Sequence, residues 1–195
     1  MHSFTIEENN FLSQNTQGFY HSDYSGGGGQ WRINGTIENI ICTLKNDITP
    51  YTSQVLQNTT QQLANILLGD LPQILQRVGK TNLTVCVVPR AKVNYNANQL
   101  LFKKTVEDIV NCLNGFVNGK NYIIRHTDTK TTHLRRGISG GGSGSSPYPG
   151  ITKDTCSISN NVRNKDILLI DDLYTKTVNI DEDAIQSLLD KGARY

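Results

Sequence analysis

A short apolar run at Leu83 to Pro89, LTVCVVP, constrains the fold more than any other segment of the chain. It is rich in valine, shows no regular alternation of apolar and polar residues, and is closed by a proline. Such a run is typical of a parallel strand buried on both faces, because a strand with one solvated face alternates apolar and polar residues. The sequence therefore predicts an α/β domain in which helices cover a mostly parallel sheet.

Helical and strand patterns on both sides of this run support that prediction. Further strands are predicted at Asn121 to Thr127, NYIIRHT, and at Asp166 to Asp171, DILLID. Pro72 is expected to end one helix or to begin another, because proline disrupts a helix interior. Helices are predicted at residues 37–44, 53–78, 97–113 and 181–191. The alternation predicts a doubly wound, mostly parallel sheet flanked by helices.

The length of 195 residues is that of one ordinary domain. We predict a single domain, residues 1–195, with residues 1–80 forming a small N-terminal hood of helices and residues 81–195 forming the core. Residues 128–159 are rich in Thr, Ser, Gly and basic side chains, which predicts a long mobile loop. Its Gly- and Ser-rich part, residues 137–146, fits a lid over a site and a plain linker equally well.

Charge and hydropathy exclude several classes of protein. The 19 basic and 17 acidic residues are scattered, without the basic stripe that neutralises a nucleic-acid backbone. No apolar run approaches the roughly 20 residues of a membrane-spanning helix, and the N-terminus lacks the order of a signal peptide. We expect a cytoplasmic protein with no membrane partner and no direct nucleic-acid partner. The four cysteines have no CxxC pair, so we expect buried thiols.

The segment ILLIDDLYTKTVN, Ile167 to Asn179, is the strongest candidate site. In open parallel sheets ligands bind beyond the carboxyl ends of the strands, and a loop entering a helix offers free N–H groups to an anion. Asp171 and Asp172 end the strand and can accept hydrogen bonds from paired ribose hydroxyls. The residues expected to contact the rest of a sugar phosphate are Leu173, Tyr174, Thr175, Lys176, Thr177, Val178 and Asn179.

This pattern, a buried strand ending in DD and followed by an aromatic residue, a threonine and a helix, resembles the phosphoribosyl pyrophosphate motif of type I phosphoribosyltransferases. Upstream, IENIICTLKND, VVPRAKVNYNANQLL and RHTDTKTTHL resemble segments of the ComF-like branch of that family. The resemblance implies the type I phosphoribosyltransferase fold and binding of phosphoribosyl pyrophosphate with Mg²⁺. It also implies transfer of the phosphoribosyl group to an acceptor that the sequence does not identify.

The resemblance also implies roles for basic residues. Arg90 would act with Asp171 and Asp172 in catalysis, and Lys92 would contact the pyrophosphate. The segment holding Lys130, His133, Arg135 and Arg136 would close over the substrate. Mg²⁺ would be held through the substrate's diphosphate, with Asp171 as the candidate direct ligand.

Departures from the family pattern leave alternatives open. Family members usually have a second threonine and a glycine after Thr175, and a threonine or serine closing the loop, where this chain has Lys176, Thr177 and Asn179. Losing the glycine removes backbone freedom where the chain curls around a phosphate. The chain could instead be a non-catalytic module that senses a ribose phosphate or nucleotide, or a competence-type accessory that acts through a protein partner. A homo-oligomer is equally compatible with the sequence.

The candidate site residues also have interpretations that involve no ligand. The acidic pair could be a solvated strand end that caps the next helix. Arg90 and Lys92 could belong to an ordinary exposed basic loop.

Overall fold

A computed structural model describes residues 1–26, 28–47, 50–131, 150–176 and 178–194. Its strands are β1 (His2–Ile6), β2 (Thr16–Tyr20), β3 (Leu83–Val87), β4 (Phe116–Asn118), β5 (Ile123–Arg125), β6 (Cys156–Ile158) and β7 (Ile167–Ile170). Its α-helices are α1 (Ile37–Lys45), α2 (Ser53–Arg77), α3 (Leu101–Cys112) and α4 (Ile180–Asp190). These residues divide into two compact units.

The first unit contains Met1–Phe4, Gly18–Asn82 and Tyr95–Val117, and its helices α1, α2 and α3 pack against one another. Local sequence fixes where α1 begins and ends. The Thr36 side chain accepts a hydrogen bond from the Asn39 N–H at 3.2 Å, which caps the first turn. Asn46 ends the helix in the left-handed region at φ 48°, a conformation that asparagine tolerates. The unit thus combines the helices predicted for the hood with α3, which was predicted for the core.

The expected break at Pro72 is wrong, because α2 runs unbroken for 25 residues. Pro72 is exposed, so its ring lies on the solvent side of the helix. Leu71 and Ile74, on the packed side, are only 1% and 8% exposed. Burial of these neighbours outweighs the hydrogen bond that proline cannot donate.

The second unit contains Thr5–Gln17, Leu83–Asn94 and Asn118–Tyr195. Its strands β3 and β7 pair in parallel, with Val87 opposite Ile170, and all five residues of β3 are buried. The three-stranded sheet has the order β4, β3, β7. The predicted buried parallel strand and the mixed α/β class are therefore confirmed.

One strand prediction and one loop prediction need correction. The strand predicted at 121–127 forms as β5, but it pairs antiparallel with β6 in a separate two-stranded sheet. Since β6 lies inside the predicted loop 128–159, that prediction is wrong for residues 150–158. Few apolar residues occur there, yet Ile151 and Cys156 are 0% and 1% exposed and anchor the segment in the core. Residues 132–149, including the Gly- and Ser-rich part, lie outside the described residues.

A buried cluster holds the second unit together around β3, β5, β6 and α4. One close approach in this unit requires glycine: a Cβ at Gly119 would lie 2.9 Å from the Val85 carbonyl oxygen. The cluster consists of Cys86, Val88, Ile123, Ile151, Cys156, Val162, Ala184 and Leu188.

The four cysteines differ in burial. Cys86 and Cys156 are buried free thiols as expected, whereas Cys112 is exposed and Cys42 only partly buried. No helix within the described ranges is both long and apolar enough to cross a membrane. The prediction of one domain over residues 1–195 stays a prediction.

Candidate functional site

The carboxyl ends of β3 and β7 form the centre of the candidate site. The Val88 N–H donates to the Ile170 carbonyl oxygen at 2.9 Å, so the parallel pairing continues to the last residue of β7. Beyond that bond, one chain continues into Pro89 and Arg90 and the other into Asp171 and Asp172. The register thus brings the predicted basic and acidic segments to the same edge of the sheet, where ligands of parallel sheets bind.

Asp171 and Asp172 are partly buried, and they are hydrogen-bonded to each other. The Asp172 N–H donates to Asp171 Oδ1 at 2.7 Å. Asp171 also shares a hydrogen bond with the Asp181 side chain, at the start of α4. A carboxylate offers about four lone-pair positions, so one carboxylate can accept several hydrogen bonds at once.

Asp181 carries a strongly perturbed carboxyl group. Burial raises the pKa of Asp181 to about 7; nearby Glu182 and Asp172 add to the rise, and the hydrogen bond with Asp171 opposes it. Two carboxyl groups can share a hydrogen bond only while one of them holds a proton. Asp181 therefore exchanges its proton near neutral pH.

Tyr174, predicted to contact substrate, is tied to α4. Its hydroxyl donates to Glu182 Oε1 at 2.9 Å, and burial together with this carboxylate raises the pKa of the Tyr174 phenol. Glu182 is only 2% exposed, and its second oxygen, Oε2, has no hydrogen-bond partner within the described part of the chain. This contact fixes the direction in which the Tyr174 hydroxyl points.

The phosphate half of the predicted motif is more open. Thr175 and Lys176 are exposed, and the Val178 N–H donates to the Thr175 carbonyl oxygen at 3.0 Å, closing a turn. Leu173, Val178 and Asn179 are partly buried, and Thr177 lies outside the described residues. Among the described residues of the motif, Thr175 and Lys176 are therefore the most accessible donors for an anion.

The first turn of α4 is acidic, which the prediction of a phosphate site did not take into account. It holds Asp181, Glu182 and Asp183, and Asn179 provides no side-chain cap. Negative charge here stabilises the helix dipole but repels a phosphate placed on the helix axis. The predicted phosphate contacts therefore fit Thr175 and Lys176 better than the helix terminus itself.

Lys92 and Arg90, the basic residues beyond β3, are both hydrogen-bonded to other segments of the chain: Lys92 through its side chain, Arg90 through its backbone carbonyl. Lys92 Nζ donates to the Thr129 carbonyl oxygen at 2.8 Å, and the Arg90 carbonyl oxygen accepts from Arg125 Nε at 2.5 Å. Arg90 and Lys92 are both partly buried, so an ordinary exposed basic loop describes them poorly.

Of the four residues expected to close over the substrate, only Lys130 lies in the part of the chain that the structure describes. Lys130 is exposed, and His133, Arg135 and Arg136 fall outside the described residues. Their predicted role stays a prediction.

Several residues of this network were missed by the sequence reasoning. The acidic turn left a visible signal, DED at 181–183, immediately after the motif. Arg125 and Gly150 left none, because their importance depends on contacts between distant segments.

Within the described ranges, no group of three or more His, Cys, Asp or Glu side chains is arranged to hold a metal ion. The acidic pair is the right chemistry for Mg²⁺ that arrives with a diphosphate, since Mg²⁺ prefers one or two carboxylates together with phosphate oxygens and water. Comparison of the chain with protein-family models, with curated proteins and with solved structures finds no match.

Proposed function

We propose that the chain binds phosphoribosyl pyrophosphate, or a related ribose phosphate, in the manner of a type I phosphoribosyltransferase of the ComF-like branch. The observation that supports this most is the parallel pairing of β3 and β7 up to Val88 and Ile170, since it gives Arg90 and Asp171 adjacent strand ends. The doubly wound fold of that family is part of the same proposal.

Each part of the ligand has a partner of suitable chemistry in this arrangement. The carboxylates of Asp171 and Asp172 accept hydrogen bonds from the ribose hydroxyls. Thr175 and Lys176 donate to the 5-phosphate, and Arg90 and Lys92 neutralise the diphosphate. When bound, Mg²⁺ supplies further neutralisation of the diphosphate oxygens.

Transfer would then consist of attack by an acceptor nucleophile on the anomeric carbon, with pyrophosphate leaving. The carbon–oxygen bond to pyrophosphate breaks as the bond to the acceptor forms, through an oxocarbenium-like transition state. The chain contributes mainly by positioning the ribose through Asp171 and Asp172 and by stabilising the leaving group through Arg90 and Lys92.

A second candidate is a non-catalytic module that binds the same ligand as a sensor or accessory to a protein partner. It is favoured by the three acidic residues in the first turn of α4, because the negative charge of those that are ionised opposes tight binding of phosphate at the helix terminus. Lys176 and Asn179, where the family motif has other residues, point the same way. This candidate predicts binding without turnover.

The test of binding is the melting temperature in the presence of phosphoribosyl pyrophosphate and Mg²⁺. Ligand at about 100 times its Kd stabilises the folded state by about 2.7 kcal/mol, which raises the Tm by roughly 5–10 °C for a chain of this size. Replacing both carboxylates, Asp171→Asn with Asp172→Asn, should abolish the shift. Asp190→Asn, an exposed change in the last turn of α4, should preserve it. Absence of a shift with the wild-type chain would contradict both candidates.

Turnover is measured separately, as pyrophosphate released in the presence of candidate bases and amines. Release that depends on an acceptor supports the transferase. A ligand-dependent Tm shift without release, across a broad set of acceptors, supports the non-catalytic module.

A further inference from the structure

Arg125 is a buried charged residue for which the proposed mechanism has no role. It lies on β5, is only 8% exposed, and directs its guanidinium at backbone carbonyl groups of three segments. Nε donates to the Arg90 oxygen at 2.5 Å, Nη2 to the Gly150 oxygen at 3.2 Å, and Nη1 more weakly to the Thr127 oxygen at 3.4 Å. One side chain thus joins Gly150 to the loop of residues 90–92, called the basic loop.

Burying a charged guanidinium in order to join backbone segments costs free energy. The guanidinium stays charged at any physiological pH, and burying a charge is unfavourable unless hydrogen bonds compensate for the lost water. Its planar fork, however, holds several acceptors in one fixed geometry, which no neutral side chain of similar size does. The location of the acceptors therefore indicates what the residue does.

On one side, Arg125 donates to the carbonyl oxygen of Arg90, which belongs to the loop predicted to bind the diphosphate. Besides the bond to Arg90, the Ala91 carbonyl oxygen accepts from the Thr129 N–H at 2.8 Å, and Lys92 Nζ donates to the Thr129 oxygen. Thr129 is 3% exposed. Three consecutive residues of the loop, 90 to 92, are thus fixed by hydrogen bonds to Arg125 and Thr129.

On the other side, the acceptor belongs to a peptide fixed to α4. The Gly150 N–H donates to Asp183 Oδ2 at 2.5 Å, and the Gly150 oxygen also accepts from the Thr155 hydroxyl at 3.0 Å. The Ser187 hydroxyl donates to the Ile151 oxygen at 2.5 Å. Arg125 therefore links the basic loop, through Gly150, to the helix that follows the acidic pair.

We propose that Arg125 is a positioning residue, which sets the Arg90–Lys92 loop in the geometry that receives the diphosphate of the ligand. The inference rests on the proposed function, because it assigns the diphosphate end of the ligand to that loop. Arg125 itself acts through the backbone of Arg90 and Gly150 and does not touch the ligand.

The test compares three ligands by calorimetry on the full chain: phosphoribosyl pyrophosphate with Mg²⁺, pyrophosphate with Mg²⁺, and ribose 5-phosphate. Arg125→Gln should weaken binding of the two diphosphate ligands by about tenfold, the lower end of the effect of residues that orient a binding group. Binding of ribose 5-phosphate, which needs only residues 171–179, should be unchanged. Arg125→Lys keeps the charge but not the fork, and should restore only part of the lost affinity.

The selective loss separates positioning from a general loss of stability. The matched control is Val162→Ala, a fully buried residue of the same unit, which should lower the Tm and leave all three affinities unchanged. Equal weakening of all three ligands by Arg125→Gln, or no weakening of any, would overturn the inference. If the wild-type chain binds ribose 5-phosphate in a manner that needs Asp171 and Asp172, the proposed function stands whatever Arg125 does. If the wild-type chain binds none of the three ligands, the proposed function fails and this inference fails with it.

Discussion

Replacing Asp181 by asparagine should make the stability of the protein much less dependent on pH. Burial raises the pKa of this carboxyl from 3.8 to about 7 in the folded chain. Between these two values the folded state holds a proton that the unfolded state has released, so the free energy of unfolding falls as pH rises. This contribution is complete below about pH 4 and is lost by about pH 8.

The size of this change in the free energy of unfolding follows from the shift in the pKa of Asp181. Each pKa unit corresponds to about 1.4 kcal/mol, which gives an upper limit of roughly 4 kcal/mol for Asp181. Solvent that still reaches this partly buried side chain reduces the expected value to roughly 2–4 kcal/mol. Asparagine has the shape of the protonated acid and cannot ionise. The variant should therefore match the wild type at about pH 4 and exceed it in stability by that amount at about pH 8.

Urea denaturation at constant salt, over a series of pH values, measures this difference. Asp190→Asn is the control in the same helix, because it makes the same chemical change at an exposed carboxylate and so provides the baseline for Asp181→Asn. If the stability difference between Asp181→Asn and the wild type did not change with pH, the carboxyl would titrate normally and the account of the acidic turn would be refuted.

Three further changes probe the fold by the free energy of unfolding. Ile151→Ala removes a fully buried side chain and should cost about 2–5 kcal/mol, whereas Ile124→Ala, at a residue 50% exposed, should stay within about 0.5 kcal/mol; similar costs would place residue 151 outside the core. Pro72→Ala should stabilise α2 by about 1–3 kcal/mol, since alanine restores the helical hydrogen bond, and a loss of stability would mean that the helix breaks there. Asp183→Ala should cost about 1.5–3 kcal/mol through the unpaired Gly150 N–H, and no loss would contradict that hydrogen bond.

The parts of the fold that sequence predicts are those in which local pattern and burial agree. The apolar runs LTVCVVP and DILLID both form strands, as predicted; β3 is buried at all five residues, as expected of a parallel strand covered on both faces, and β7 is partly buried. Their parallel pairing then brings Arg90 and Asp171 to one edge, which is why the core of the candidate site could be predicted.

The parts that sequence misses depend on contacts between distant residues. Ile151 and Cys156 are too sparse to form an apolar pattern, yet each is buried and their segment forms β6. Pro72 has an unfavourable local preference that packing overrides. Arg125 is an ordinary strand residue in the sequence, and only the fold shows that its guanidinium reaches Arg90 and Gly150.

The central claim is that residues 171–179 bind a ribose phosphate. It is tested most directly by NMR titration of the ¹⁵N-labelled chain with phosphoribosyl pyrophosphate and Mg²⁺. We expect backbone amide shifts to concentrate in residues 171–179, with a second group in residues 90–92, and ribose 5-phosphate to reproduce only the first group. Saturable shifts confined to α1, α2 and α3, or no shift with a large excess of ligand, would contradict it.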